Sequence, residues 1–270
     1  MSGNFSRLSF RDLHHRDGAF VIPNPWDVGS ARILASMGFE ALATTSAGLA
    51  FSLGLKDGGV TPEVMLDHCR DMVAATPLPV SADLEKGFGD QPDAVADTIA
   101  KAADAGLAGC SIEDFTGDPA RPIYDFALAV ERIAAASEAA RVLDRDFVVT
   151  ARSENFLHGR PNFDDTVRRL QAFERAGTDV LYAPGLRDLN QIRTVCESVS
   201  KPVNIVMGLP GAAFSVAELS AAGVKRISVG SALARLAYGG LIRAAKEMKE
   251  EGTFAFAEQA GSFAEIEAHF

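Results

Sequence analysis

Short apolar segments alternate with helix-patterned segments along almost the whole chain. Eight of the apolar segments have the length and composition of buried strands. They cover residues 19–24, 39–46, 78–83, 107–113, 147–152, 179–184, 202–207 and 225–230. Their apolar runs, such as FVVTA and RISVG, are continuous, which is typical of strands that are buried on both faces. The pattern therefore predicts a parallel sheet covered by helices.

The segments between these strands carry apolar residues at helical spacing. Thr61 followed by Pro62 predicts an N-cap and a first helical turn, and several segments end on a glycine that would cap the helix. Eight strand–helix units in 270 residues predict one (β/α)₈ TIM barrel domain over residues 1–270. A doubly wound open sheet is the alternative, but the first strand lacks the glycine-rich phosphate turn of that fold.

From about residue 231 the chain is longer than one closing helix requires. Two helical patterns follow, and the second contains Phe254, Phe256 and Phe263. An exposed apolar patch on a protein of this kind usually marks a contact surface. We therefore expect a C-terminal helical tail that packs on a neighbouring subunit. The alternative is a tail that folds back across its own barrel.

Charge and composition exclude several classes of protein. The net charge of −10 repels nucleic acids and anionic membranes, and no apolar run reaches the roughly 18 residues of a membrane span. The N-terminal residues contain no apolar signal-peptide core. Cys69, Cys110 and Cys196 lack metal or redox spacing and are expected to be reduced thiols. The sequence predicts a cytoplasmic protein without nucleic-acid or membrane partners.

Polar side chains gather where the predicted strands end, which is where barrel enzymes place their active sites. Asp83 and Glu85 stand two residues apart, so both carboxylates face one side of the chain and repel each other unless a cation lies between them. Gly87 and Gly89 then provide a tight turn. The other strand ends carry Asn24, Trp26, Asp27, Glu113, Asp114, Arg152, Glu154 and Asn204. Each acid alone could instead cap a helix.

Five segments in this order carry a family resemblance: NPWDVGSARI, TTSAGLAFSLGLKDG, SADLEKGFGD, GCSIEDFTGD and TARSENF. Together they resemble the isocitrate lyase / phosphoenolpyruvate mutase superfamily, which contains phosphonopyruvate hydrolases, 2-methylisocitrate lyases and oxaloacetate decarboxylases. The resemblance covers nearly the whole chain. It implies a (β/α)₈ barrel, often with its eighth helix exchanged between subunits, and a homotetramer.

The resemblance also implies a site that binds Mg²⁺, for which Mn²⁺ could substitute, and a small 2-oxo acid. The implied metal residues are Asp83, which ligates directly, and Glu85 and Glu113, which act largely through water. Glu85 stands where the family more commonly has Asp, so the alternatives are direct ligation by Glu85 and a shifted metal position. The implied substrate-binding residues are Ser46, Ala47, Gly48, Arg152 and Asn204, the first three through backbone N–H groups. The implied catalytic residues are Arg152, Glu113 and Asp57.

The loop after the fourth strand departs from the family pattern. Lyases of the superfamily carry a Cys there as acid or base, and the mutases and hydrolases carry a Lys. This chain has EDFTGDPARPIYD, which leaves Thr116, Asp118, Arg121 and Tyr124. His158, in the loop after the fifth strand, could gate the site or donate a proton, or it could be a solvated loop residue.

These departures favour chemistry that needs few dedicated groups. We therefore expect a Mg²⁺-dependent lyase or decarboxylase that cleaves a C–C bond of a small 2-oxo acid or substituted malate through an enolate. The alternatives are a phosphonopyruvate-type C–P hydrolase and a catalytically impaired barrel that binds 2-oxo acids.

Overall fold

The computed structural model describes residues 8–211 and 213–270 and contains an eight-stranded parallel sheet. The strands are β1 Phe20–Ile22, β2 Leu42–Ala43, β3 Val80–Asp83, β4 Gly109–Glu113, β5 Val148–Arg152, β6 Val180–Tyr182, β7 Val203–Val206 and β8 Arg226–Ser228. Their order is β1-β8-β7-β6-β5-β4-β3-β2, and Ala43 N–H donates to Pro23 O (3.0 Å) across the remaining gap. The predicted (β/α)₈ barrel is confirmed, and the doubly wound alternative is wrong.

Helices alternate with the strands and cover the outside of the barrel. They are α1 Phe10–Leu13, α2 Val28–Ser36, α3 Ser46–Ser52, α4 Pro62–Ala75, α5 Pro92–Asp104, α6 Phe126–Arg141, α7 Phe163–Arg175, α8 Leu189–Glu197, α9 Val216–Ala221, α10 Ala232–Lys246 and α11 Phe263–Glu267. The predicted N-cap is confirmed, because the Thr61 hydroxyl accepts from Val64 N–H. Gly106 and Gly177 follow α5 and α7 with positive φ angles, as C-terminal caps do.

The second strand is shorter than the sequence pattern predicts. The predicted strand covers residues 39–46, but β2 ends at Ala43 and α3 begins at Ser46. Thr45 acts as the N-cap of α3 and accepts a hydrogen bond from Gly48 N–H. A local cap therefore ends the extended segment, and the chain turns into a helix at the C-terminal end of the barrel.

Two apolar clusters fix which end of the barrel is open. The larger cluster fills the space between the strands and helices α2 to α9. The smaller one closes the N-terminal end of the barrel, where Phe10 and Leu13 of α1 pack against Phe20, Val148 and Val180. The opposite end, where the strands finish, remains open to a ligand.

The C-terminal segment leaves much of its apolar surface exposed. Of α10, Ala234 is the buried residue, while Phe254, Phe263 and Phe270 are 66%, 88% and 65% exposed. Near the C-terminus, His269 Nδ1 lies 2.7 Å from the Ser36 hydroxyl of α2, so this part of the tail does contact its own barrel. Exchange of the tail between subunits stays a prediction.

Among the described residues, no helix is long and apolar enough to span a membrane. Cys69, Cys110 and Cys196 are free thiols, as the sequence predicts, and the first two are buried.

The buried histidine beneath the barrel predicts a pH dependence of folding stability. His14 Nδ1 lies 2.8 Å from Phe10 O and so carries the proton, which leaves Nε2 to accept from Arg226 (3.2 Å). Burial and the charge of Arg226 lower the pKa of His14 to about 3. Between that value and the ordinary 6.5, the unfolded state binds more protons. The His14 contribution to the free energy of unfolding should fall as pH drops below about 6.5, by at most about 1.4 kcal/mol per pH unit.

The His14→Gln variant isolates this contribution, because glutamine keeps a donor and an acceptor but does not titrate. Denaturant unfolding from pH 7.5 to 4.5 should show that the wild type loses more stability than the variant as the pH falls. A stability difference for His14→Gln that stays constant over this pH range would contradict the assignment.

Candidate active site

Arg152, the last residue of β5, is the centre of the ion-pair network at the open end of the barrel. Its three nitrogens contact three carboxylates: Nη1 lies 2.8 Å from Asp83, Nη2 lies 3.1 Å from Glu113, and Nε lies 2.8 Å from Glu154. The guanidinium carbon lies 5.2 Å from the ring centroid of Tyr182. The parallel register explains the convergence, because Glu113 on β4 and Tyr182 on β6 are the direct neighbours of Arg152.

Asp83 links this network to the loop after β2. One carboxylate oxygen pairs with Arg152, and the other accepts from the Ser46 hydroxyl (2.8 Å) and from Ser46 N–H (3.2 Å). Thr44 holds the strand end in place, since its hydroxyl accepts from Asp83 N–H. The side chain of Asp83 is 20% exposed, so it remains accessible from the open end.

The turn after β3 holds two side chains in an unusual backbone conformation. Glu85 and Phe88 have φ angles of 51° and 60°, in the left-handed region that non-glycine residues rarely adopt. Gly87 shares this region at 79°, and a Cβ on Gly89 would lie only 2.4 Å from the Cβ of Ala94. The two glycines therefore permit the tight turn that aims Glu85 toward Asp83. Such strain persists where the surrounding structure enforces it, commonly at functional sites.

Glu85 is a half-buried carboxylate whose charge nearby cations compensate only in part. Its Oε1 atom is buried and has no hydrogen-bond partner among the described residues. Burial, followed by the charges of Asp83 and Asp57, raises the pKa of Glu85 to about 7. An orphaned oxygen beside a second carboxylate fits a hard cation that prefers oxygen ligands.

The other acids of the cluster show the same excess of negative charge. Burial raises the pKa of Glu113, although Arg152 opposes the shift, and burial together with Asp83 raises the pKa of Asp57. Burial lowers the pKa of Arg152, but Glu154 and Glu113 outweigh it and hold that pKa well above its usual value. Arg152 therefore stays charged, and the acids around it outnumber it.

A cavity of about 190 Å³ opens beside this network. Its wall includes most of the residues that the sequence predicts for the site, namely Ser46, Ala47, Asp57, Asp83, Arg152 and Asn204. Glu113, which contacts Arg152, and Glu85 do not form part of the wall. Gly48 is buried beneath it, where a Cβ would lie 2.6 Å from a methyl carbon of Thr45.

Several of the predicted substrate-binding groups already form hydrogen bonds within the protein. Ser46 N–H donates to Asp83, and Gly48 N–H donates to the Thr45 hydroxyl. The Asn204 amide accepts from Arg226 Nε (2.9 Å) and donates to the Ser228 hydroxyl (3.0 Å). Asn204 therefore orients neighbouring side chains as well as lining the cavity.

The loop after β4 closes on itself. Phe115 pairs with Ile123 in an antiparallel bridge, and the Thr116 hydroxyl donates to Arg121 O (2.7 Å). The Tyr124 hydroxyl donates to a carboxylate of the turn after β3. The cavity wall contains none of the four residues considered from the sequence, Thr116, Asp118, Arg121 and Tyr124.

His158 packs against this loop instead of standing free in solvent. Its ring stacks on Phe115 with 3.6 Å between centroids and an interplanar angle of 6°. Its Nε2 lies 3.6 Å from the outer carboxylate oxygen of Glu154, whose other oxygen pairs with Arg152. Asp114 fixes Glu154 by accepting from its backbone N–H (2.7 Å). A role for His158 as gate or proton donor stays a prediction.

Arg132 of α6 is a structural determinant of the site that the sequence does not reveal. It is 1% exposed, and its Nη1 donates to Gly89 O and Asp90 O, both at 2.6 Å, while Nη2 donates to Lys86 O. Its guanidinium carbon also lies 4.3 Å from the Tyr124 ring centroid. A single buried cation thus binds three carbonyls of the strained turn. No local motif marks it, because its partners lie more than 40 residues away.

Replacing Arg132 by Met should loosen this turn while keeping most of the side-chain volume. Three partly buried carbonyls would lose their donor, so we expect a loss of about 1–3 kcal/mol in the free energy of unfolding and weaker Mg²⁺ binding. Denaturant unfolding and calorimetric Mg²⁺ titration measure both.

Arg168→Met is the matched control, since Arg168 is a mostly exposed arginine that stacks on Phe126. Equal stability and equal Mg²⁺ affinity in the two variants would show that Arg132 does not hold the turn.

The carboxylates do not form a closed metal cage on their own. Among residues 8–211 and 213–270, no three Asp, Glu, His or Cys side chains converge as a ready metal-binding group. Mg²⁺ commonly uses one or two carboxylates and completes its shell with water and substrate oxygens. Asp83 and Glu85 meet that requirement, and a cage of three protein ligands is not needed.

The fold and the site define a barrel with an acidic, arginine-centred cavity at the C-terminal ends of its strands. The family model of phosphoenolpyruvate phosphomutase matches residues 10–249, and the chain belongs to this family.

Solved structures and curated proteins show the same relationship. A crystal structure from Burkholderia cenocepacia J2315, provisionally named a lyase/mutase, is 58% identical with a TM-score of 0.93 and covers 96% of this chain and 93% of its own. The structure of 2,3-dimethylmalate lyase is 29% identical, with a TM-score of 0.84 and coverage of 96% and 92%. Oxaloacetate decarboxylase of Pseudomonas fluorescens is 29% identical over 81% of this chain and 76% of its own.

Proposed function

We propose that this protein is a cytoplasmic Mg²⁺-dependent lyase or decarboxylase that cleaves a C–C bond of a small 2-oxo acid or substituted malate. One observation carries the proposal: Arg152, Asp83 and Glu113 converge beside the orphaned carboxylate of Glu85 at the open end of the barrel. The names of the related lyase and decarboxylase support the same reaction class.

The residues present fit a divalent cation. Asp83 and Glu85 would hold Mg²⁺, and Glu113 and Asp57 would act through its waters. Bound Mg²⁺ supplies Lewis-acid polarisation of the substrate's 2-oxo or hydroxyl oxygen. Mn²⁺, which accepts similar oxygen ligands, should substitute.

The chain's own groups account for the remaining requirements. Arg152 keeps its charge among Glu113 and Glu154, so it stabilises the negative charge of an enolate as the C–C bond breaks. Ser46 lies against Asp83 and lines the cavity beside Ala47, whose backbone N–H would orient the substrate carboxylate. The closed loop after β4 contributes no Cys or Lys, which favours substrates that need little proton transfer.

A substrate panel tests the proposal. Purified protein with Mg²⁺ is assayed against oxaloacetate, 2-methylisocitrate, substituted malates and phosphonopyruvate, with release of pyruvate, other carbonyl products and phosphate measured. We expect C–C cleavage of at least one acid and its loss in excess chelator. Phosphate release alone would favour a C–P hydrolase. Binding without turnover would indicate an impaired barrel.

We further propose that the protein is a homotetramer assembled through its C-terminal segment. Leu236, Leu241 and Ile242 of α10 are each more than half exposed, as are Phe254, Phe263 and Phe270. Apolar surface of this extent on a helix with one buried residue supports a subunit contact.

Deleting residues 253–270 should therefore lower the assembly size. Multi-angle light scattering of the full chain should give about four times the mass of one chain at micromolar concentration, and the truncated chain should run smaller. A monomeric full chain would overturn the assembly. An unchanged tetramer after deletion would exclude the tail as the contact.

A further inference from the structure

Arg226, at the start of β8, is a buried cation without an acidic partner. It is 5% exposed, and among the described residues its contacts are neutral: Asn204 Oδ1 at 2.9 Å, Thr150 Oγ1 at 3.0 Å and His14 Nε2 at 3.2 Å. Arg152, the other arginine that lines the cavity, has carboxylate partners. A buried charge is costly unless an opposite charge or a full set of hydrogen bonds compensates it.

The hydrogen bonds of Arg226 do not exhaust its donors. A guanidinium has five N–H groups, and the three contacts use Nε–H and one N–H on each terminal nitrogen. Each terminal nitrogen thus keeps one N–H with no acceptor among the described residues. Burial lowers the pKa of Arg226 to about 10, which leaves it charged at neutral pH. Two free N–H groups on a planar cation are the usual partner of a carboxylate.

The cavity connects Arg226 with the ion-pair network above it. Ser81 and Ser111 each precede a site carboxylate by two residues, so they face the same side one layer deeper in the barrel. Both line the cavity, as does Arg226. Barrel interiors are commonly filled by branched apolar side chains. Here small hydroxyl side chains leave a polar chamber that extends from Arg152 toward Arg226.

The size and charge of this chamber suit a small dianion. Its volume of about 190 Å³ suits a small acid of four or five carbons. Arg152 and Arg226 both line it, and they lie close enough for the charge of one to affect the other. A ligand with a negative group at each end would compensate the positive charges of Arg152 and Arg226.

We propose that Arg226 is a specificity-determining residue that binds the second carboxylate of the substrate inside the barrel. This inference rests on the proposed function, because it assumes that the 2-oxo acid end binds near Asp83 and Arg152. The site then selects dicarboxylates, either a 2-oxo acid with a second carboxylate or a substituted malate, over the corresponding monocarboxylates. Asn204 and Thr150 orient the guanidinium toward the second carboxylate.

Matched pairs of stable ligands test the inference by calorimetry with Mg²⁺ present. One pair is 2-oxoglutarate and 2-oxovalerate, and the other is malate and 2-hydroxybutyrate; within each pair only the second carboxylate differs. The wild-type protein should prefer the dicarboxylate by about ten- to hundredfold. Arg226→Gln should reduce this ratio to near one and leave the affinity for the monocarboxylate unchanged, and Arg226→Lys should retain part of it.

Arg187→Gln, on an exposed arginine of the loop after β6, is the control and should keep the wild-type ratio. Circular dichroism and thermal unfolding check that each variant folds. Equal wild-type affinities within both pairs would overturn the subsite without any variant and leave the proposed function intact. If neither member of either pair binds with Mg²⁺, the proposed function fails and the subsite fails with it.

Discussion

Asp83→Asn should abolish turnover and Mg²⁺ binding together. The substitution keeps the size of the side chain but removes the charge that faces the open end of the barrel beside Glu85. We expect a loss of at least about 4 kcal/mol in transition-state stabilisation, roughly a thousandfold in kcat/KM, because a Lewis acid contributes several kcal/mol. Steady-state kinetics on the substrate found in the panel, with Mg²⁺ titration by calorimetry, measure both effects.

Asp93→Asn is the matched control for this prediction. Asp93 lies exposed in the first turn of α5 and does not line the cavity. Its variant should keep wild-type kinetics. If Asp83→Asn retained Mg²⁺-stimulated turnover close to that of Asp93→Asn, Asp83 would not be the principal metal ligand.

Arg152→Lys should lose about 2–4 kcal/mol in transition-state stabilisation, roughly 30- to 1000-fold in kcat/KM. Lysine keeps the positive charge, but it cannot contact Asp83, Glu113 and Glu154 at once with a planar fork. The acids that lose their contact would repel one another more strongly, so the metal-binding carboxylates should also shift.

The corresponding control is Arg169→Lys. Arg169 is buried and pairs with Asp114 and Asp165, yet it lies outside the cavity wall. Its variant should lower thermal stability with little change in kcat/KM, whereas Arg152→Lys should lower kcat/KM as well as thermal stability. An Arg152→Lys protein with unchanged kcat/KM would assign Arg152 a purely structural role.

The barrel and the position of its site follow from the sequence because each local signal agrees with the others. Continuous apolar runs mark strands that are buried on both faces, and parallel pairing then brings all strand ends to one edge. Asp83, Glu113 and Arg152 meet for this reason, since each ends its strand. The spacing of Asp83 and Glu85 also predicts that their carboxylates affect each other. Burial and then the charge of Asp83 raise the pKa of Glu85.

The remaining features depend on contacts that sequence patterns do not encode. Arg132 binds the turn after β3 from a helix more than 40 residues away, and its sequence position resembles any polar residue of an amphipathic helix. An arginine is usually expected to face solvent. The position of Arg226 on β8 instead places its side chain inside the barrel, where Asn204 and Thr150 accept its hydrogen bonds. The end of β2 at Ala43 depends on the Thr45 cap, which competes with extended pairing.

Binding of oxalate tests the central claim most directly, because oxalate is a planar dianion that resembles the enolate of pyruvate and undergoes no reaction. Calorimetric titration of the purified protein should show tight oxalate binding with Mg²⁺ and none in excess chelator, and Asp83→Asn should eliminate the Mg²⁺-dependent part. Oxalate binding that is equal with and without Mg²⁺, or absent at saturating Mg²⁺, would contradict a metal-assisted enolate site in this barrel.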